Sequence, residues 1–459
     1  MNQRKRCALV GTGGRAVTFL DAIVDTHKDH AELVGICDIS PTRMKWHNDR
    51  LAHRYHAAPA PTYPAQDFDN MVRQTRPDVV IVTSMDCTHH AYIVRAMELG
   101  CDAISEKPMT TDAAKCRAIL DAIERTGRNL RVTFNYRYTP AVTQVKKLIM
   151  EGTIGTPTSV DLSWALNTSH GADYFRRWHR EKDKSGGLLV HKATHHFDIV
   201  NWWIDSYPKT VFALGDLKFY GRKNAEARGE HYSYDRYTGV AEARDDPFAL
   251  RLDKDVHKPE DLYGPASARG LYLNAEKDSG YVRDRNVFGD NITIEDTMAV
   301  MVRYRSNVIL NYSLIAYCPW EGMRAAVNGT RGRVEMVETW GSHIIAGQDD
   351  KTLASEQAKG HQKHVRVFPM FGVAYDVPVP EAKGSHGGGD PILLEQIFSP
   401  DAPHDPYGRA ASHFDGTASI LVGVSANESI ATGKPINCDD LVPLLEKDAS
   451  GVTAHCGMT

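Results

Sequence analysis

Short apolar runs alternate with amphipathic stretches along the first third of the chain. An apolar run at residues 7–10 leads into a glycine-rich turn, after which Val17, Leu20, Ile23 and Val24 recur at the spacing of a helix face. Further strands are predicted at 33–37, 79–83, 102–105 and 130–134, and helices at 91–99 and 112–125. The alternation predicts an α/β fold, a doubly wound parallel Rossmann sheet, for residues 1–138.

Strand patterns dominate after residue 138. A helix is predicted at 141–150, strands at 159–164, 210–214, 298–304, 308–317 and 323–328, and C-terminal helices at 389–398 and 413–432. This order predicts an α+β domain over residues 139–459 with a large open, mostly antiparallel sheet. Residues 220–290 are rich in charge, tyrosine, glycine and proline without a regular period. They indicate a long insertion ordered by packing over the site, as a lid or a subunit contact.

The composition excludes several classes of protein. The net charge of −4, from 54 basic and 58 acidic side chains, provides no field that attracts nucleic acid or an anionic membrane. The eight cysteines are scattered without a CxxC pair, which favours a reducing compartment. The apolar run at 7–10 is shorter than the roughly 7–15 residues of a secretory signal. We therefore expect a cytoplasmic protein without nucleic-acid or membrane partners.

The turn at residues 11–16 reads GTGGRA and fits a GxGxxA dinucleotide-binding fingerprint. Its first glycine allows the turn, the second lets the backbone approach a pyrophosphate, and the small alanine lets helix and strand pack closely. Asp38 ends the second predicted strand, where a carboxylate accepts hydrogen bonds from the ribose and repels a 2′-phosphate. The cofactor is therefore predicted to be NAD, and nearby Arg43 is able to soften the preference against NADP.

Other candidate cofactor contacts follow the predicted strands, because a doubly wound sheet binds its ligand at their carboxyl ends. The predicted cofactor-binding residues are Gly11, Gly13, Gly14, Arg15, Ala16, Asp38, Ser40, Arg43, Thr83, Ser84, His89, Glu106, Lys107 and Asn135. Thr83, Ser84, Glu106 and Lys107 fall where a bound nicotinamide would lie.

Several sequence blocks occur in a specific order. They are GTGGRA, Asp38, SEKPMT around Lys107, NYRYTP at 135–140, EGTIG at 151–155, a glycine–histidine–aspartate block at 186–198, GTRGRVE at 329–335 and SHGGGD at 385–390. In this order the chain resembles the Gfo/Idh/MocA oxidoreductases, the family of glucose–fructose oxidoreductase and inositol dehydrogenase. The resemblance implies an NAD(P)-binding domain, a C-terminal domain on an open sheet, a carbohydrate substrate between them, and a homodimer or homotetramer formed through that sheet.

One departure from the family pattern affects the catalytic residues. The family carries an aspartate four residues before its catalytic-type histidine, whereas here His191 stands at that position and Lys192 follows it. His195 and Asp198 match the family's histidine and distal aspartate. The predicted catalytic residues are Lys107, His191, Lys192 and His195. His195 is the first candidate for the base that takes the hydroxyl proton, while Lys107 shares that proton or hydrogen-bonds to the forming alkoxide.

The segment GGLLVHKATHHFD places three histidines and a lysine within six positions. A helix that starts near Val190 would put His191 and His195 on one face and Lys192 and His196 on the adjacent stripe. That face would present two imidazoles to a sugar ring. Zinc is the rival ligand, but a lysine flanks the pair where a glutamate base is expected and no third ligand is evident, so no metal is predicted.

Substrate contacts are predicted just upstream of this segment. Arg176, Trp178 and Arg180 alternate, so on an extended segment they point one way. Arginine and tryptophan suit a sugar face or an anionic substituent such as carboxylate, sulfate or sulfonate. The remaining substrate candidates are Tyr136, Arg137, His196 and His386, although His196 is also typical of a packing histidine.

The leading functional hypothesis is NAD-dependent oxidation of a ring hydroxyl of a sugar, glycoside or cyclitol. The resemblance leaves open a redox-neutral glycosidase, which oxidises carbon 3, eliminates the aglycone, adds water and reduces the ketone again. Its substrate could be an anionic glycoside, sulfonated or carboxylated. A non-catalytic NAD-binding protein is the third alternative, and the presence of both Lys107 and His195 argues against it.

Overall fold

The computed structural model describes residues 4–253, 268–342, 362–381 and 386–444. The N-terminal strands are β1 (Lys5–Val10), β2 (Ala31–Asp38), β3 (Thr62–Pro64), β4 (Val79–Val82), β5 (Asp102–Ser105) and β6 (Leu130–Val132). The helices between them are α1 (Ala16–Asp21), α2 (Pro41–Tyr55), α3 (Phe68–Thr75), α4 (His89–Glu98) and α5 (Ala113–Thr126). Short helical turns lie at Ala22–Thr26, Ala65–Asp67, Asp86–Thr88 and Asn135–Tyr138.

These six strands form a parallel sheet in the order β6-β5-β4-β1-β2-β3. Strand β1 explains why: Cys7 and Leu9 pack into one apolar cluster, while Ala8 and Val10 pack into another. Successive side chains of a strand point to opposite faces, so a strand covered on both faces is apolar at consecutive positions. The predicted Rossmann sheet is confirmed.

The remaining strands are β7 (Pro157–Asn167), β8 (Pro208–Asp216), β9 (Thr297–Tyr304), β10 (Ile309–Cys318), β11 (Trp320–Gly329), β12 (Gly332–Ser342), β13 (Gln362–Pro369), β14 (Tyr375–Val377), β15 (Ala411–Ser412) and β16 (Ile436–Asn437). The helices are α6 (Pro140–Met150), α7 (His170–Arg176), α8 (Lys182–Ser185), α9 (Leu188–His191), α10 (Thr194–Ile204), α11 (Arg222–Ala227), α12 (Ala268–Leu271), α13 (Glu276–Ser279), α14 (Gly389–Phe398), α15 (His413–Thr432) and α16 (Cys438–Leu441). Further short turns lie at Trp178–Arg180, Leu273–Ala275 and His386–Gly388.

The second sheet has nine strands in the order β14-β13-β12-β11-β7-β10-β9-β8-β16. All neighbours are antiparallel except β7 and β10, which confirms the mostly antiparallel sheet. Buried and exposed side chains alternate along β9, because one face packs on the core while the other is open. Leu214 and Met301 lie 64% and 52% exposed on the sheet. The expected subunit contact through this sheet stays a prediction.

The C-terminal segment also contributes to the first sheet. Strand β15 pairs antiparallel with β6, so Ala411 lies opposite Val132. Helix α15 follows at once and begins with a capping box, in which Ser412 and Asp415 each bond to the backbone of the other. The chain therefore returns to the N-terminal sheet after building most of the second one.

The insertion predicted at 220–290 is held in place by aromatic packing and by hydrogen bonds that its backbone carbonyls accept. Tyr220 stacks on Phe175 at a ring distance of 4.1 Å, and Phe248 packs edge-on against Phe288 at 5.1 Å. Residues 254–267 lie outside the described ranges. Within those ranges, no helix is both long and apolar enough to cross a membrane.

Candidate active site

The glycine turn that follows β1 is packed tightly at one end and open at the next. Gly11 has a φ of +93°, and a Cβ atom there would lie 2.3 Å from the backbone nitrogen of Ser84. A Cβ at Gly13 would meet no heavy atom within 4 Å. The first glycine is therefore required by the approach of the chain after β4, and the second leaves room for a ligand against the backbone. This arrangement fits the pyrophosphate of a dinucleotide.

Asp38 ends β2 and faces the glycine turn. Its carboxylate accepts hydrogen bonds from the backbone N–H groups of Thr12 and Ser40, the latter at 2.8 Å. Arg43 lies 3.6 Å from the same carboxylate. The Ser40 side chain caps α2 by accepting from the N–H of Arg43 at 3.1 Å. The carboxylate is thus fixed at the strand end where the adenosine ribose binds in a Rossmann domain.

Two residues of the insertion reach this end of the sheet. The Asp278 carboxylate accepts hydrogen bonds from the Ser40 hydroxyl at 2.5 Å and the Thr42 N–H at 3.1 Å. The Tyr272 hydroxyl accepts from the N–H of Gly14 at 3.1 Å. Neither residue was identified from the sequence, because the contacts span more than two hundred positions of the chain.

Arg15 links the end of β5 to the first turn of α14 rather than projecting freely. Its guanidinium donates to Glu106 at 2.7 Å and to Asp390 at 2.9 and 3.0 Å. Asn135 donates to the same Asp390 at 2.8 Å, and Thr133 donates to Glu106 at 2.8 Å. This charged network cross-links the predicted cofactor residues at the carboxyl ends of the strands.

The chain after β4 is held in place by two other predicted cofactor residues. The Thr83 hydroxyl donates to the Gly11 carbonyl at 2.5 Å. The ring nitrogens of His89 lie 2.8 Å and 3.0 Å from the carbonyl oxygens of Pro108 and Ser84. These contacts fix the backbone around the crevice.

Lys107 follows β5 and contacts the second domain. Its Nζ atom donates to the backbone carbonyl of His191 at 3.3 Å. Burial lowers the pKa of Lys107 to about 8, opposed by the nearby Asp86 and Glu106 carboxylates. The histidine-rich segment therefore lies at the mouth of the crevice, beside the strand end that carries this lysine.

The prediction of one continuous helix that starts near Val190 is wrong. A short helix, α9, ends at His191, and α10 begins at Thr194. The N–H groups of Lys192 and Ala193 both bond to the carbonyl of Leu188, so the chain turns here instead of continuing as one helix. His191 and His195 do not share a helix face, and their imidazoles have different neighbours.

His191 lies against Asp86 and His179. Its Nδ1 atom is 2.5 Å from a carboxylate oxygen of Asp86, and the His179 ring lies 4.1 Å away, edge-on. Burial lowers the pKa of both imidazoles and raises the pKa of Asp86. Asp86 was missed, although its position just after β4 at a strand end was a usable signal. His179 was not identified from the sequence, because the prediction named its two neighbours, Trp178 and Arg180, instead.

His195, Lys192 and His196 belong to an aromatic stack on β7. Tyr136 lies between His195 and Trp164, with ring distances of 4.4 Å and 5.7 Å. The Lys192 ammonium lies 4.7 Å above the Trp164 ring and donates to the Tyr136 hydroxyl at 3.3 Å. His196 stacks on Trp164 at 4.1 Å, and its Nδ1 atom is 2.7 Å from the Tyr312 hydroxyl.

Comparison with known proteins matches both domains to one family. The model described as "Oxidoreductase family, NAD-binding Rossmann fold" matches residues 5–134, and the one described as "Oxidoreductase family, C-terminal alpha/beta domain" matches residues 146–438. The chain belongs to the Gfo/Idh/MocA oxidoreductases. It is an oxidoreductase with an NAD(P)-binding Rossmann domain.

Individual Gfo/Idh/MocA relatives differ in how much of the chain they match. The oxidoreductase YteT of Bacillus subtilis strain 168 is 35% identical over 446 residues, which are 95% of this chain and 98% of that protein. The inositol 2-dehydrogenase/D-chiro-inositol 3-dehydrogenase of Lactiplantibacillus plantarum is 26% identical over 201 residues, 44% of this chain and 52% of that enzyme. The WlbA dehydrogenase of Bordetella pertussis, solved with NADH and UDP-GlcNAcA, has the same fold with a TM-score of 0.59 and 16% identity, covering 95% of this chain and 98% of that one.

In this Gfo/Idh/MocA chain, the segment at 176–180 is not extended. Arg176 ends α7 and donates to the Phe248 carbonyl at 2.8 and 3.0 Å, while Arg180 donates to the carbonyls of Asn286 and Asp290. Both arginines anchor the insertion, so the prediction of an extended segment with side chains pointing one way is wrong, while their substrate contacts stay a prediction. The irregular insertion has backbone carbonyls that need hydrogen-bond donors, and the two arginines supply them. The local sequence around the arginines does not show this need.

Three further substrate candidates also have defined positions. Arg137 is 1% exposed and pairs with Asp198 and Asp415, so its guanidinium is occupied in a buried ion pair, and its substrate contact stays a prediction. Trp178 stacks on His179 at 3.6 Å. His386 lies in the turn before α14, and its side chain is outside what the structure describes.

Proposed function

We propose that the protein oxidises a ring hydroxyl of a sugar, glycoside or cyclitol, with NAD as the hydride acceptor. The observation that carries the proposal is the hydrogen bond from Lys107 Nζ to the His191 carbonyl at 3.3 Å. It brings the strand end that would face a nicotinamide into contact with the segment that bears the imidazoles. A general base that is already positioned to take the hydroxyl proton contributes about 10²–10⁴-fold to the rate.

The residues of the crevice divide the work as follows. Gly11, Gly13 and Asp38 would hold the dinucleotide, which when bound supplies the hydride acceptor. His195 takes the hydroxyl proton, and its ring plane is fixed by stacking on Tyr136 at 4.4 Å and 14°. Lys107 hydrogen-bonds to the oxygen as negative charge develops on it. The aromatic stack of Tyr136 and Trp164 lies behind His195 and supports it.

The proposal is tested by mixing the purified protein with NAD and a panel of neutral and anionic sugars, glycosides and cyclitols. A net dehydrogenase accumulates NADH, followed by its absorbance, with at least one member of the panel. If His195→Gln oxidised that substrate at the wild-type rate, the assignment of the base would be wrong. If no ring hydroxyl were oxidised and no glycoside cleaved, the proposal would fail.

A second candidate, the redox-neutral glycosidase, is favoured by one observation. Oxidation alone needs one proton acceptor, whereas Lys107, Lys192 and His195 all lie on two adjoining stretches at the crevice. Oxidation at carbon 3, elimination, water addition and reduction require several proton transfers. In the same panel, a glycosidase releases aglycone from aryl glycosides without net NADH, and an anionic aglycone-bearing sugar is included because of the Lys192 ammonium.

For the cofactor, we propose NAD over NADP because two carboxylates flank the ribose position. Asp38 ends β2, and Asp278 accepts hydrogen bonds from Ser40 and Thr42 at the start of α2, where a 2′-phosphate would otherwise find donors. Replacing Asp278 with alanine is expected to shift the kcat/KM ratio toward NADP by about tenfold, equivalent to about 1.4 kcal/mol.

The control is Asp49→Ala, which removes an exposed carboxylate paired with Lys45 farther along α2. The ratio of kcat/KM values for the two cofactors, measured at saturating substrate, should stay unchanged in this variant. Equal ratios in wild type and Asp278→Ala would remove Asp278 from cofactor discrimination.

A further inference from the structure

Three buried side chains beside the crevice converge from separate parts of the chain. Asp86 comes from the turn after β4, His179 from the turn at Trp178–Arg180, and His191 from the end of α9. One carboxylate oxygen and one ring nitrogen from each histidine all lie within 4.8 Å of one another. The three residues are only 4%, 4% and 8% exposed.

This donor set is that of a metal centre. Two neutral imidazoles and one carboxylate are the protein ligands of many catalytic zinc sites, which keep a fourth position open. In a tetrahedral site with metal–ligand distances of about 2.0–2.2 Å, donor atoms lie roughly 3–3.5 Å apart. The three donor atoms lie within 4.8 Å of one another, and Asp86 and His191 approach to 2.5 Å, so metal binding requires these side chains to shift.

In the part of the chain that the structure describes, one ring nitrogen of His179 also lacks a hydrogen-bond partner. The Nδ1 atom of His179 is buried, and among the described residues it has no hydrogen-bond partner. A buried polar atom left unsatisfied costs about 1–3 kcal/mol, and such atoms call for an unseen water or ion. Trp178 stacks on the His179 ring at 3.6 Å and holds it in this orientation.

Basic side chains surround the two imidazoles and, besides burial, lower their pKa: Lys107 and Arg177 act on both, and Lys192 acts on His191. Neighbouring carboxylates offset part of this positive charge. Arg177, which lies near the cluster, is paired with Asp173 at 3.0 Å, and that carboxylate also binds Arg283. The positive charge of Lys107 is opposed by Glu106. Asp86 supplies a carboxylate that faces the two imidazoles.

We propose that Asp86, His179 and His191 bind a divalent transition-metal cation, zinc in the first instance, next to Lys107. The position at which the family carries an aspartate is then a metal ligand in this chain. An oxygen ligand at the open fourth position would be polarised by the cation. The site is an addition to the proposed function and does not depend on the identity of the substrate.

The test measures metal binding by the full-length protein directly. The purified protein is stripped with a chelator and titrated with ZnCl₂ in competition with a chromogenic chelator, and separately with CoCl₂. We expect one equivalent of either metal, and visible Co²⁺ absorption bands of the strength typical of four-coordinate cobalt. Failure of the wild-type protein to bind either cation at a defined stoichiometry overturns the proposal, whatever the variants do.

Variants then identify the ligands. His179→Gln and Asp86→Asn are expected to lower the Zn²⁺ affinity by at least about 100-fold, the upper end of what loss of a mere outer partner causes. The matched control is His170→Gln, because His170 also pairs with a carboxylate, Glu321, at 2.6 Å. It should bind zinc like the wild type.

Measuring NAD binding on the same samples distinguishes failure of the metal site from failure of the proposed function. Unchanged zinc affinity in a His179→Gln protein that still binds NAD overturns the site. Full metal binding with no carbohydrate turnover leaves the site in place and counts against the proposed function alone.

Discussion

Replacing Lys107 with methionine is expected to lower kcat by about 10²–10³-fold, the contribution of one hydrogen-bond donor to the developing negative charge. Methionine keeps an unbranched side chain of similar length in the partly buried position after β5 and removes only the hydrogen-bonding amine. The hydrogen bond to the His191 carbonyl is lost with it. Turnover is measured with the substrate that the panel identifies, and NAD affinity by titration, which should change little.

Lys45→Met is the control for this substitution. Lys45 is 74% exposed on α2, pairs with Asp49 and is not among the residues assigned to the chemistry. Its turnover should match the wild type. A Lys107→Met protein with more than about a tenth of the wild-type kcat would contradict the role assigned to this amine.

Replacing Arg137 with methionine is expected to destabilise the fold by about 3–5 kcal/mol. Its guanidinium donates to Asp198 on α10 at 2.6 and 2.7 Å and to Asp415 on α15 at 3.0 Å. Removing the cation leaves the Asp198 carboxylate buried and unpaired, and its desolvation cost is then no longer offset. The loss is measured as a lower midpoint of urea unfolding.

Arg73→Met provides the comparison for Arg137. Arg73 pairs with Asp69 on α3, but the two side chains are 58% and 32% exposed. Exposed pairs of this kind contribute about 0–1 kcal/mol, so the unfolding midpoint should hardly move. Equal effects of the two substitutions would show that the buried pair does not connect α10 and α15 energetically.

The N-terminal half of the fold could be predicted because its signals are local. Strands β1 and β4 are buried on both faces, so their sequences are apolar at consecutive positions. The glycine turn and Asp38 follow from backbone approach and strand-end chemistry. Helix α2 could not be predicted from its apolar pattern, because two of its buried side chains are His47 and Arg50. Arg50 is buried through its pair with Asp21, a contact that hydropathy does not report.

The candidate site could be predicted only in part, since its decisive contacts are distant in sequence. His191 and Asp86 are 105 positions apart, and no local pattern links them. Tertiary packing also brings α9 close to α15, since a Cβ at Gly423 would lie 2.3 Å from the Leu189 carbonyl oxygen. The local helical spacing of the histidines gave no sign of that close approach.

The contacts of Tyr272 and Asp278 bear on how long a dinucleotide stays in place. They link the insertion to Gly14, Ser40 and Thr42, so we expect exchange of the proposed dinucleotide to require these hydrogen bonds to break first. Release slower than the chemical steps gives the coenzyme the character of a prosthetic group. A reaction that oxidises the substrate and then reduces the product within one cycle would then need no exchange of NAD(P).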